Sequence, residues 1–248
     1  MEDKKFALLI DADNTSSKYI KTIVDEITNL GITTYRRIYG DWTSPNLQNW
    51  KAILLEYSIT PMQQYGYTTG KNSTDSAMII DAMDILYTAD VDGFCLVSSD
   101  SDFTKLAMRL KEAGKTVIGM GKKQTPRPFV RACHQFKYLD VLSKAEQKKP
   151  AVKKAAKKSD NTQSKEKSAE QKLVDSICKI IEENSNADGW IYAAQVGTLL
   201  QKKNPDFDCR NYGYKKFWLL LDGLGFETRK EPGADDPNAC EVYVKIKE

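Results

Sequence analysis

The sequence predicts a doubly wound α/β domain on a mainly parallel sheet, followed by a small winged-helix α+β domain. Three observations carry that expectation. In the first 142 residues, apolar runs alternate with helical patterns of about 10–15 residues, which indicates βαβ units. Two of those runs, Leu8-Leu9-Ile10-Asp11-Ala12-Asp13-Asn14 and Cys95-Leu96-Val97-Ser98-Ser99-Asp100-Ser101-Asp102, read as buried strands that end abruptly in carboxylates. Beyond residue 167 the pattern changes to three apolar-striped helices and an alternating hairpin.

Taken in order, strands are expected at 6–10, 33–39, 60–65, 93–98 and 116–120, with a short last one at 136–139. Helices fall between them at 16–30, 47–57, 74–89, 103–113 and 128–133. Right-handed crossovers favour an order in which the first and fourth strands meet where the winding reverses, which would bring Asp11 and Asp100 together. Residues 143–167 hold the low-complexity run Lys148-Lys149-Pro150-Ala151-Val152-Lys153-Lys154-Ala155-Ala156-Lys157-Lys158. With almost nothing to bury, this segment is expected to be a mobile basic linker. In 168–248, Leu173, Ile177, Ile180 and Ile181 recur at helical spacing, then Val196, Leu199 and Leu200, then Phe217, Leu220 and Leu221. Phe226 and the alternating Val242-Tyr243-Val244-Lys245-Ile246 read as two strands around a polar turn.

Charge separates the same three regions. Residues 1–142 carry 17 Lys/Arg against 17 Asp/Glu, 143–167 carry 9 against 3, and 168–248 carry 11 against 14. The overall +3 thus comes from the linker, the footprint of an accessory contact to a polyanion and not of a basic binding face. The five cysteines form no CxxC or CxxH pair, which argues against a Cys/His zinc site. The single histidine, His134, follows a helix end and precedes the apolar Phe136-Lys137-Tyr138-Leu139, a poor setting for a catalytic base. There is no apolar run of about 18 residues, and Met1-Glu2-Asp3-Lys4-Lys5 leads straight into a strand. The expectation is a cytoplasmic chain with neither membrane span nor signal peptide.

Carboxylates at the ends of buried strands are costly unless something positive meets them, and the carboxyl edge of an open parallel sheet is where ligands bind. Asp75 is a third contributor. It lies in the first turn of the helix at 74–89, on the stripe of Met78, Ile79, Ala82, Ile85 and Leu86, so it is aimed at the sheet edge. Asp81 flanks that stripe and Asp84 points away; both are expected to be solvated. Asp11, Asp75, Asp100 and Asp102 would repel one another and raise their pKa values unless a cation neutralised them. An all-oxygen set indicates Mg²⁺ or Mn²⁺, as one ion or two.

Each residue also has a plainer reading. Asp75 is favoured by a helix amino terminus alone, and Asn14 either caps the following helix or positions a phosphate or water. Lys71, Lys122, Lys123 and Arg127 meet substrate phosphates or form ordinary solvated surface. Ser98, Ser99 and Ser101 hydrogen-bond phosphate or cap a helix, with capping favoured for Ser101.

Residues 4–142 resemble the NYN domain of the PIN-like ribonucleases, which include the bacterial LabA/DUF88 proteins. The resemblance rests on Leu8 through Asn14, Lys71-Asn72-Ser73-Thr74-Asp75 with Asp81-Ala82-Met83-Asp84, and Val97-Ser98-Ser99-Asp100-Ser101-Asp102-Phe103. Val117-Ile118-Gly119-Met120-Gly121, Thr125-Pro126 and the stretch to Leu139 extend it. It implies a metal-dependent hydrolase acting on RNA through Asp11, Asp75, Asp100 and Asp102, with Asn14 beside them. Residues 168–248 resemble a LOTUS (OST-HTH) domain through Gly189-Trp190, Val196-Gly197-Thr198-Leu199-Leu200, Arg210-Asn211-Tyr212-Gly213-Tyr214-Lys215-Lys216-Phe217 and Leu224-Gly225-Phe226-Glu227. That resemblance implies binding of single-stranded or structured RNA, or of a partner protein. Tyr212, Tyr214, Lys215 and Lys216 would open the third helix, there to stack on bases and meet phosphate, or with the two tyrosines in the core instead. Two rivals stand beside the ribonuclease reading. One is a non-catalytic RNA- or protein-binding adaptor. The other is a haloacid dehalogenase-type phosphatase, which Asp11-Ala12-Asp13-Asn14-Thr15 also resembles, with Asp11 as nucleophile.

Overall fold

The computed structural model describes residues 3–65, 73–147, 160–232 and 240–247. Six strands build the first sheet: β1 (Lys5–Asp11), β2 (Ile32–Gly40), β3 (Thr60–Gln63), β4 (Gly93–Val97), β5 (Thr116–Gly121) and β6 (Gln135–Tyr138). All neighbours pair in parallel, in the order β3-β2-β1-β4-β5-β6. This is a doubly wound order, and β1 lies against β4 with Ile10 opposite Val97.

The sheet is covered on both faces, which is why β1 and β4 read as unbroken apolar runs. Ala7 and Leu9 of β1 pack with Phe94 and Leu96 on one face, under α3 (Ser73–Thr88), α4 (Thr104–Glu112) and α5 (Arg127–Ala132). Phe6, Leu8 and Ile10 pack with Cys95 and Val97 on the other, under α1 (Ile20–Thr28) and α2 (Gln48–Leu54). The alternation follows the two-residue period of a strand. It leaves only the ends of β1 and β4 to carry polar chemistry.

The helix expected from residue 16 begins instead as a 3₁₀ turn, Ser17–Tyr19, before α1. Asn14 caps neither element, because its side chain is drawn back to Asp11. After β6, α6 (Leu139–Gln147) buries Leu139 and Leu142 against the first unit. The chain divides into Met1–Glu146 and Gln147–Glu248. The expected linker is therefore helical at both ends, in α6 and in the start of α7 (Asp160–Asn184), while residues 148–159 lie outside the described ones.

In the second unit, α7, α8 (Ala193–Lys203) and α9 (Phe217–Gly223) close over a small antiparallel sheet. Its strands are β7 (Ile191–Tyr192), β8 (Glu227–Pro232) and β9 (Cys240–Lys245), in the order β7-β9-β8. Leu173, Ile177, Ile181, Val196, Leu200, Leu220 and Val244 fill the core. Three helices with a winged hairpin match the expectation, and β7 adds a third strand to it. Among the described residues, no helix is long and apolar enough to cross a membrane.

Candidate active site

Asp11 ends β1 and is fully buried. Its two oxygens accept four hydrogen bonds. Oδ1 receives the backbone N–H groups of Asp13 (3.0 Å) and Asn14 (3.2 Å). Oδ2 receives Asn14 Nδ2 (2.8 Å) and Ser98 Oγ (2.7 Å). Burial pushes its carboxyl upward from the ordinary range, while the bonds from Ser98 and Asn14 pull it back. These four bonds use the roughly four lone-pair sites of a carboxylate.

Ser98 carries the order across to β4. Its hydroxyl donates to Asp11 and accepts the backbone N–H of Asp100 at 3.0 Å. Asp100 in turn caps the 3₁₀ turn Ser101–Phe103, its Oδ1 accepting from the N–H of Asp102 at 2.9 Å. The cap is thus Asp100 and not Ser101, because Asp100 has the extended backbone that a cap needs. Ser99 Oγ accepts the N–H of Lys122 at 2.9 Å and ties down the loop after β5. Gly121 is required beside it, since a Cβ there would fall 2.6 Å from the Ser98 carbonyl oxygen.

Asp75 stands in the first turn of α3, whose axis is fixed by a second carboxylate six residues on. Asp81 accepts from Arg37 Nη1 and from the Tyr39 hydroxyl, both on β2. It is therefore not solvated, as its place on the flank suggested. The β2 strand presents a basic and a phenolic side chain where α3 crosses it, which no helical wheel reveals.

One oxygen from each of Asp75, Asp100 and Asp102 gathers within 4.8 Å of the others. Burial, and then the charges of Asp11, Asp100, Asp102 and Asp13, push Asp75 up to about 6. Three hard oxygen donors that repel one another at this spacing suit a divalent cation of the Mg²⁺ or Mn²⁺ kind. Asp11, expected as a fourth ligand, lies outside the triad with its oxygens already bonded, and Asn14 is its partner. The phosphatase reading meets the same obstacle, since its nucleophile would be this buried and bonded carboxylate.

At the same edge of the sheet, a cavity of about 310 Å³ opens between the end of β1 and the loop after β2. Asn14 and Lys122 line it, joined by Ser44, Asn46 and Asn49, which the sequence did not single out. Nothing in Ser44-Pro45-Asn46-Leu47 reads as more than a turn entering a helix; only the strand order brings it beside β1. Lys123 and Arg127 are exposed on the same loop and at the start of α5, and the Lys123 N–H donates to Asp140 at 2.9 Å. Lys71 lies outside the described residues. His134 is structural: its Nδ1 accepts the Val117 N–H at 3.0 Å, and burial lowers its pKa.

In the second unit, Tyr212 and Tyr214 precede α9 and pack onto the core. Tyr212 lies against Phe207, with ring centroids 6.3 Å apart. Tyr214 covers Gly223, where a Cβ would fall 2.2 Å from its hydroxyl oxygen. Lys215 and Lys216 remain exposed. The more open aromatic row lies across the sheet, where Tyr192, Tyr243 and Arg229 are cross-strand neighbours. Arg229 there stands over the Trp190 ring at 4.6 Å.

A doubly wound sheet with an aspartate cluster at its carboxyl edge defines a PIN-like α/β domain. Residues 5–142 match the NYN domain model, and the chain belongs to that family. Residues 164–236 match the OST-HTH/LOTUS domain. Among solved structures, the protein of unknown function VPA0982 from Vibrio parahaemolyticus is 21% identical, with a TM-score of 0.47, over 55% of this chain and 93% of its own. The WlbA dehydrogenase from Bordetella pertussis, solved with NADH and UDP-GlcNAcA, is 16% identical, with a TM-score of 0.30, over 53% of this chain and 32% of its own. No curated protein matches the chain significantly.

Proposed function

We propose that the protein is a divalent-metal-dependent ribonuclease whose second unit binds RNA or a partner protein. The observation that carries this reading is the convergence of Asp75, Asp100 and Asp102 at the carboxyl edge of an NYN sheet. These three would hold the Mg²⁺ or Mn²⁺ ion, with Asp11 buried at the end of β1. When bound, such an ion lowers the pKa of a water and neutralises charge on a phosphodiester. Asn14 and Ser98 hold Asp11, and through it the ends of β1 and β4, in register. Lys122, Lys123, Arg127 and Lys71 would meet the phosphates on either side of the cut.

The LOTUS unit would raise the local concentration of RNA at that edge. Its contacts would include Lys215 and Lys216, with Tyr192, Tyr243 and Arg229 as a stacking face; Tyr212 and Tyr214, packed onto the core, would not stack on bases. Five free cysteines, one of them exposed, fit the reducing cytoplasm.

The test is cleavage of single-stranded and structured RNA with Mg²⁺ or Mn²⁺, comparing the wild type with Asp100→Asn. The expected result is metal-dependent cleavage that falls by at least about 100-fold in the variant. Equal inertness of both proteins, with RNA still bound, would replace the ribonuclease with an adaptor.

A further inference from the structure

The cavity at the end of β1 has a lining unlike the aspartate triad. Among its described residues only two are charged, Asp13 and Lys122; the rest that matter here are the amides and hydroxyl of Asn14, Asn46, Asn49 and Ser44. Amide side chains both donate and accept, which is the chemistry that reads the edge of a nucleobase. A single ammonium, on Lys122, suits one phosphate.

Size points the same way. The volume of about 310 Å³ lies at the small end of ligand sites, which run from about 300 to 1,000 Å³, and leaves room for one nucleotide. Position adds the rest. Asn14 belongs both to the cavity wall and to the bonds that hold Asp11, and Lys122 is anchored to Ser99, next to Asp100. The cavity therefore opens at the same carboxyl edge of the sheet, on the β1 side, and is linked to the triad's strand end through Asp11 and Ser99.

We infer that this cavity is a nucleotide subsite, which seats one ribonucleotide next to the phosphodiester at the triad. Asn46 and Asn49 contact its base and Lys122 its phosphate. This deepens the ribonuclease reading and rests on it for the identity of the strand, but the cavity is tested without cleavage.

The experiment is an NMR titration of the full chain, with the metal chelated, using each of the four nucleoside 5′-monophosphates, the free nucleosides and ribose 5-phosphate. Saturable shifts are expected at Asn14, Ser44, Asn46, Asn49 and Lys122. Asn49→Ala and Asn46→Ala, both at exposed positions, should weaken nucleosides and nucleotides alike by about tenfold. Lys122→Ala should weaken only the phosphate-bearing probes. Binding in the cavity by a protein that cleaves no RNA supports the subsite and retires the ribonuclease. RNA cleavage without any nucleotide-dependent shift in the cavity, or affinities that the three variants leave unchanged, overturns the subsite alone.

Discussion

Asp75 carries a measurable consequence of crowding. Its carboxyl titrates at about 6, above its ordinary range, because burial and four neighbouring carboxylates disfavour the charged form. The folded chain then binds this proton more tightly than the unfolded chain does, so stability falls as pH rises from about 4 to about 6 and stays level beyond. Asp75→Asn removes the penalty. In chelator it should stabilise the protein at pH 7.5 by about 1–2 kcal/mol and leave it unchanged at pH 4, as read by urea denaturation. The opposite sign is expected at Ser98. Ser98→Ala takes a donor from buried Asp11 and an acceptor from the Asp100 N–H. The loss should be about 2 kcal/mol at pH 7, together with a further rise of the Asp11 pKa, visible as a carboxyl carbon titration by NMR. A serine whose removal costs nothing would mean that the two strand ends are not coupled through it.

At the scale of elements, α3 is the part whose placement matters most, since it supplies the triad's third carboxylate. Its apolar stripe fixes which face meets the sheet, but not how far the helix slides along β2. Asp81, gripped by Arg37 and Tyr39, fixes the slide. Asp81→Ala leaves the half-buried Arg37 and the buried Tyr39 without their acceptor and should cost about 2 kcal/mol. It should also lower RNA cleavage, although Asp81 lies outside the triad, and Asp81→Glu should restore neither because its longer arm moves the contact point. Unchanged activity in a stable Asp81→Ala protein would remove the clamp from the account.

The same helix shows what the sequence can and cannot disclose. Apolar runs ending in carboxylates identified β1, β4 and the edge they share, because burial on both faces and an abrupt polar end are local patterns. The turn of Asp75 toward the edge was also local, a matter of 100° steps. The Arg37–Asp81–Tyr39 contact, the Ser98 bond to Asp11 and the cavity wall that Ser44–Asn49 shares with Asn14 join residues about 30 to 90 positions apart, and no periodicity encodes them. Tyr212 and Tyr214 were ambiguous for the same reason: an aromatic ring beside lysines looks alike whether it faces RNA or the core.

The whole chain pairs an NYN unit that holds an aspartate cluster with a LOTUS unit, each with a core of its own. Leu142 is buried in the first unit and α6 runs to Gln147, so a cut at residue 143 would strip away part of that unit. The clean truncation ends at Gln147. If the second unit only delivers RNA, fragment 1–147 should keep the cleavage rate at saturating RNA and lose affinity by about 10²-fold, the scale expected when a tethered contact is removed. The difference should shrink with added salt, since the residues beyond 147 include the whole basic run and its phosphate contacts are screened. Measured as kcat and KM on one RNA at two salt concentrations, a fall in kcat with KM unchanged would instead mean that the LOTUS unit takes part in forming the catalytic edge. Equal KM for fragment and full chain at low salt would end its role in delivery.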